Sequence, residues 1–201
     1  MKYKIGTRDF LFRARMRLDE NNPESLLHAA LELRLGIEAR LQTYMDVIED
    51  LPNKKRKGWR MSDIDKNLEN TFKKGNRIVE IMVIDDVSGK PMAVFYYTPV
   101  SKDLIKKGER IGDLLHAKKI HITQTDDWYT KTKHFLEDIY TDLEKANKGT
   151  LLGPPFYNPS QGNFDLSIEL YDGYNPKEIV ERIGSPGTKI KMNVAYPDEY
   201  P

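Results

Sequence analysis

Apolar residues recur along most of this chain at spacings of three and four, the signature of helices with one buried face. Leu26, Ala30, Leu33, Ile37, Leu41, Tyr44, Ile48 and Leu51 form the longest such stripe. It opens at Asn22-Pro23-Glu24-Ser25, an Asn cap followed by a proline at the first helical position, and Pro52 should stop it at Leu51. Leu27, Leu31 and Leu35 run beside the stripe and widen the apolar face. Upstream, Phe10, Leu11, Ala14 and Leu18 lie among Arg8, Arg13, Arg15 and Arg17, which predicts a basic amphipathic helix over 8–20. Downstream, Ser62 and Asp65 resemble a capping box for a short helix carrying Ile64, Leu68 and Phe72, closed by Gly75. Ser101 can cap a helix with Leu104, Ile105, Ile111, Leu114 and Leu115. Gly108 and Gly112 inside it imply either close packing or a break before Glu109. A last long helix over 126–148 should bury Trp128, Thr132, Phe135, Ile139, Leu143 and Ala146, with Gly149 ending it.

Two segments break this rhythm. Residues 77–84 and 91–98 are rich in Val, Ile, Phe and Tyr and are joined by Asp85-Asp86-Val87-Ser88-Gly89-Lys90, which predicts a β-hairpin with a long loop. From Thr150 the composition changes: 151–159 is a proline-rich apolar crossing. Phe164, Leu166, Ile168 and Leu170 then alternate as a half-buried strand. Asn175-Pro176 should start a short helix ending at Gly184, and Ile190, Met192, Val194 and Tyr196 alternate again. The expected class is therefore α+β and mainly helical. Residues 1–149 would form a helical domain with a hairpin insert at 77–98, and 150–201 a strand–helix–strand appendage packed on it, too small to fold alone.

Length and composition narrow the chemistry. The 201 residues suffice for a real core. Charged residues are 31% of the chain yet the formal net charge is +1, so no global field draws it to nucleic acid or an acidic surface. Any such role falls to local patches. The absence of cysteine excludes disulfides, thiolate zinc sites and cysteine nucleophiles. No apolar stretch approaches the roughly 20 residues of a membrane span, and the N-terminus lacks a signal-peptide core. A cytoplasmic protein without membrane contact is expected.

The polar residues threaded through the long helix are the first candidate site. His28, Glu32, Arg34, Glu38 and Arg40 interrupt apolar positions, and burying an unpaired charge is costly. His28 with Glu32 and Arg34 with Glu38 have i, i+4 spacing; the seam could orient a catalytic group, line a small-ligand pocket, or satisfy itself. The second candidate is the basic loop Lys54, Lys55, Arg56, Lys57, Trp59 and Arg60, with the ingredients of phosphate contact plus a stacking platform. A solvated loop whose Trp covers the core edge has the same composition. Lys106, Lys107, Arg110, Lys118 and Lys119 could extend the basic surface. Metals find little: His28, His116, His121 and His134 have no ligand spacing. Asp85-Asp86 could hold a divalent ion, but turn chemistry accounts for it more simply. No cofactor loop of the P-loop or Rossmann kind is present.

The third candidate is Arg110-Ile111-Gly112-Asp113-Leu114-Leu115-His116. Together with Leu31-Glu32-Leu33-Arg34-Leu35-Gly36-Ile37-Glu38 it resembles the HEPN-like helical domains of prokaryotes, over roughly residues 23–147. The resemblance implies a helical bundle in a toxin or antiviral-defence setting that binds RNA or cleaves it as a metal-independent ribonuclease. Arg110 would then stabilise charge on the phosphorus oxygens, and His116 would move a proton near neutral pH. Ile111 stands where that family usually has a polar residue. Six helical residues also set Arg110 and His116 about 120° apart, so a helix break or a second chain is needed to bring them together. A homodimer is expected, through the Leu27, Leu31, Leu35 face that the short neighbouring helices leave uncovered. Two other readings remain open: a non-catalytic interaction module for a protein partner, and a small-ligand or nucleotide sensor built on the polar seam.

Overall fold

A computed structural model describes residues 5–48, 61–72, 75–116, 125–153, 156–158, 163–165, 167–168, 178, 181 and 183–200. The described residues are mixed helix and strand, as expected: five named helices and a three-stranded antiparallel sheet, with a separate two-stranded ribbon. They group into two compact units, one of residues 1–76 and 100–147 and one of residues 77–99 and 148–201.

The helical unit begins with α1 (Thr7–Asp19) and α2 (Pro23–Asp46). Asn21, at φ 53°, makes the reversal between them, a left-handed conformation that Asn tolerates better than most residues. Asn22 caps α2: its side chain accepts the Ser25 N–H at 2.8 Å, and the Asn22 N–H donates to Ser25 Oγ at 3.4 Å. The helix ends five residues short of the expected Leu51. The Ile48 N–H bonds to the Met45 carbonyl, a tightened last turn in which β-branched Val47 and Ile48 leave the helix. Helices α3 (Met61–Phe72), α4 (Lys102–Leu114) and α5 (Asp126–Asn147) complete the unit. Ser62 lies inside α3 and is not its cap, since Met61 already belongs to the helix. Gly75 takes the left-handed conformation, φ 58°, and Ser101 caps α4 through the Leu104 N–H at 3.1 Å.

Helix α2 is the unit's axis, with α1, α3, α4 and α5 all packed against it. Leu26, Ala30, Leu33, Ile37, Leu41 and Tyr44 are fully buried, as the periodicity requires. The α5 stripe keeps Thr132, Ile139, Leu143 and Ala146 but takes Leu136 into the core in place of Phe135, and Trp128 is half-buried. Phe135 and Leu136 both satisfy a helical spacing from Thr132, so periodicity alone does not choose between them.

In the other unit β1 (Val79–Asp85) and β2 (Pro91–Tyr97) form the expected hairpin, with Ile81 opposite Phe95. The final strand β5 (Ile190–Ala195) pairs antiparallel with β1, giving the order β2-β1-β5. The hairpin therefore groups with the C-terminal segment, and not with the helices as the linear order suggested. The proline-rich crossing contains a strand that prolines obscured in the sequence: β3 (Phe156–Asn158) pairs with β4 (Asn163–Asp165). Ile168 makes an isolated bridge to Leu151, while Leu166 and Leu170 of the expected alternation lie outside the described residues. The helix expected over 175–184 lies largely outside the described residues.

Candidate functional site

Helix α4 runs unbroken through both of its glycines, and what they touch explains their presence. A Cβ on Gly108 would lie 2.9 Å from Ile37 Cδ1 and 3.0 Å from Met61 Sδ, so this glycine lets α4 approach α2 and α3 closely. A Cβ on Gly112 would lie 2.5 Å from Nη1 of Arg34. Close packing, and not a break, is the reason for both. The Arg34 guanidinium lies across the bare backbone of Gly112, and its Nε donates to Glu38 Oε1 at 3.2 Å.

Arg110 and His116 both fall on exposed positions of this segment. The Arg110 guanidinium stacks over the Phe135 ring of α5, 4.7 Å from its centroid, which steers it toward α5. His116 follows the cap residue Leu115, whose backbone stays helical (φ −84°, ψ −5°). His116 itself lies past the end of α4. Gly112, over which the Arg34 guanidinium lies, precedes it by four residues.

The polar seam on α2 does not converge. Glu32 receives Arg13 Nε of α1 at 2.9 Å and not His28, which is exposed. Arg34 and Glu38 pair with each other at the α4 side. The deepest member, Arg40, is only 1% exposed. Its Nε donates to Tyr44 Oη at 3.0 Å and to the Ala146 carbonyl at 3.1 Å, and its guanidinium lies 4.6 Å from the Tyr44 ring. Ala146 is in the last turn of α5, where helix carbonyls lack intrahelical partners and a positive charge is favoured. Arg40 closes that helix end. It was legible as an interrupted apolar stripe, but its role was not.

The basic residues divide as well. Lys107 is withdrawn from any phosphate surface: its Nζ meets Asp103 at 2.8 Å and Asp138 and Asp142 each at 2.7 Å. Partial burial works against its charge, but the three hydrogen bonds outweigh it and hold the amine well above its usual range. Arg15 and Arg17 pair with Asp19 and Glu20, while Lys106 and Arg110 remain exposed. The basic loop Lys54, Lys55, Arg56, Lys57, Trp59 and Arg60 lies outside the described residues, as do Lys118, Lys119 and His121.

In the sheet unit, Asp85 behaves as a turn residue. Its Oδ1 accepts the N–H groups of Val87 at 2.8 Å and Ser88 at 3.3 Å, which lower its carboxyl below the usual range. A cavity of about 350 Å³ beside it is lined by Asp85, Ser88, Lys90, Ser185 and Thr188, together with Pro91 and Met92. Tyr96 Oη donates to Glu80 at 2.8 Å; burial and that bond push the phenol up to about 12. Among the described residues no three His, Asp or Glu side chains cluster as metal ligands. None of the described helices is long and apolar enough to cross a membrane.

Comparison with protein-family models, with curated proteins and with solved structures returned no match in any of the three.

Proposed function

We propose that the helical unit binds RNA and cleaves it without metal, in the manner its HEPN-like resemblance implies, within a prokaryotic defence or toxin system of the cytoplasm. The observation that carries the reading is the Arg34 guanidinium on Gly112, four residues before the exposed His116. A phosphodiester held at this end of α4 would meet the Arg34 guanidinium, paired on its other side with Glu38, and the His116 imidazole as general acid or base. In the reaction the RNA 2′-oxygen attacks phosphorus and gives its proton to His116, the bond to the 5′-oxygen breaks, and His116 returns that proton to the leaving oxygen, leaving a 2′,3′-cyclic phosphate and a 5′-hydroxyl. Arg110, turned toward Phe135, would contact the flanking backbone, or the same phosphate from the second chain of a homodimer.

The test is cleavage of a single-stranded RNA by purified protein with and without a chelator. Chelator-resistant cleavage that His116→Ala abolishes and Arg34→Ala reduces by about 100-fold is the expected result, since loss of one transition-state donor has that scale. Wild-type protein that leaves RNA intact under both conditions overturns it. The surface also favours a second reading, a non-catalytic interaction module. Phe12, Met16 and Leu31 are 67%, 53% and 44% exposed, apolar groups that a partner protein could cover.

A further inference from the structure

Strand β5 was expected to be half-buried, yet all six of its residues are exposed. Ile190, Met192 and Val194 are 41%, 39% and 45% exposed, and Tyr196 just beyond them is 48% exposed. These residues are not on a polar face. The register sets Val194 opposite Ile81 and Met192 opposite Val83, and Ile81 and Val83 are buried. The apolar face of the sheet is therefore covered across β1 and β2 and continues uncovered onto β5.

The backbone of β5 points the same way. The Asp86 N–H donates to the Lys189 carbonyl at 2.9 Å, so Lys189 faces β1. In an antiparallel strand successive residues turn their N–H and C=O groups to opposite sides. Ile190, Met192 and Val194 therefore aim both groups at the free edge, where no strand lies among the described residues. The residues with the exposed apolar side chains are also those with the outward backbone groups. Such an edge is a template for another strand.

We propose that the strand received there is β5 of a second copy of this chain, paired antiparallel about a two-fold axis at Asn193. The three-stranded sheet then becomes six-stranded. The proposal is independent of the RNA reading. A perpendicular two-fold axis preserves the faces of the sheet, so paired residues must be of like parity. With the axis at Asn193, Met192 meets Val194 of the second copy and Val194 meets its Met192, an apolar rung on each side of the axis. On the other face Lys191 meets Ala195 and Asn193 meets itself. No lysine faces a lysine, so the charge repulsion that usually guards an edge strand is absent from this register.

The experiment measures mass by light scattering across a concentration series, on the full chain. Wild type should rise from 23.3 kDa toward twice that value. Val194→Pro removes an outward N–H and none of the bonds to β1, a place where an edge strand tolerates proline. It should weaken the dimer by about tenfold or more, since each dimer loses two interstrand bonds, while Leu31→Glu on the helical unit leaves the dimer intact. Asn193→Cys gives a second measurement that does not depend on the proline variant folding. Facing positions of this kind hold Cα atoms about 4.5 Å apart, within disulfide range, and the chain has no other cysteine. Mild oxidation should yield a covalent dimer. Wild type that stays at 23.3 kDa throughout overturns the proposal, as does a dimer that survives Val194→Pro or an Asn193→Cys chain that will not cross-link.

Discussion

The Arg34 guanidinium occupies the space that a side chain at Gly112 would fill, with Nη1 only 2.5 Å from the position of a Cβ there. Four residues earlier Gly108 is equally crowded, but by the buried Ile37 and Met61. The two glycines share a helix and a spacing, yet they perform different work. One admits the core and the other seats a charge.

That difference predicts opposite outcomes for the same substitution. Gly112→Ala adds helix propensity worth about 1 kcal/mol, and the atom it displaces is the end of a flexible, 29% exposed side chain. Its stability should be unchanged or raised. Gly108→Ala pushes a methyl into packed side chains and should cost about 1–3 kcal/mol despite the same propensity gain. Urea denaturation of both variants checks the sign. If RNA binding uses Arg34, Gly112→Ala should also weaken it while the fold remains sound.

Arg40 is a buried charge whose visible bonds run to Tyr44 and to the last turn of α5. Removing it strips a donor from a helix-end carbonyl and leaves a void between α2 and α5. Arg40→Ala should destabilise by about 3–5 kcal/mol, the scale of a large-to-small void together with a helix-end carbonyl left without its donor. Arg40→Met fills most of the volume and should recover part of that loss. Equal thermal midpoints for wild type and Arg40→Ala would show that the network contributes nothing.

Much of the helical unit was legible because its elements announce themselves locally. Asn22 before Pro23, Ser101 before Leu104, and the α2 stripe are all contained within one or two turns of chain. What escaped depends on partners distant in sequence. Phe135 and Leu136 both fit the α5 period, and Arg110 resting on the Phe135 ring goes with the choice of Leu136 for the core. The His28–Glu32 spacing looked like a pair, but Arg13 on α1 takes Glu32 instead. Strand β3 was hidden because Pro155 and Pro159 bracket only Phe156-Tyr157-Asn158, and its pairing with β4 is a fact about two segments. The exposure of β5 could not be read at all, since alternation reports a shared face and not what covers it.

Lys107 gives a pH prediction whose sign follows from its neighbours. Asp103 hydrogen-bonds the ammonium, which lowers its carboxyl below the usual 3.8. A group depressed in the folded state adds stability that is present above its unfolded pKa and lost as pH falls through its folded one. Wild type should therefore lose this contribution on acidification below about pH 4. In Lys107→Met the attraction is replaced by mutual repulsion among Asp103, Asp138 and Asp142, which no cation then separates. That variant should have a lower urea midpoint at pH 7 and should regain ground as the carboxylates are neutralised. The gap between the two proteins should shrink by about half or more between pH 7 and pH 3. Asp103 and Asp138 are well exposed, so salt should shrink the gap at pH 7 as well. A gap that stays constant with both pH and salt would mean that Lys107 stabilises the α4–α5 contact through its aliphatic stem, and that the three aspartates are bystanders.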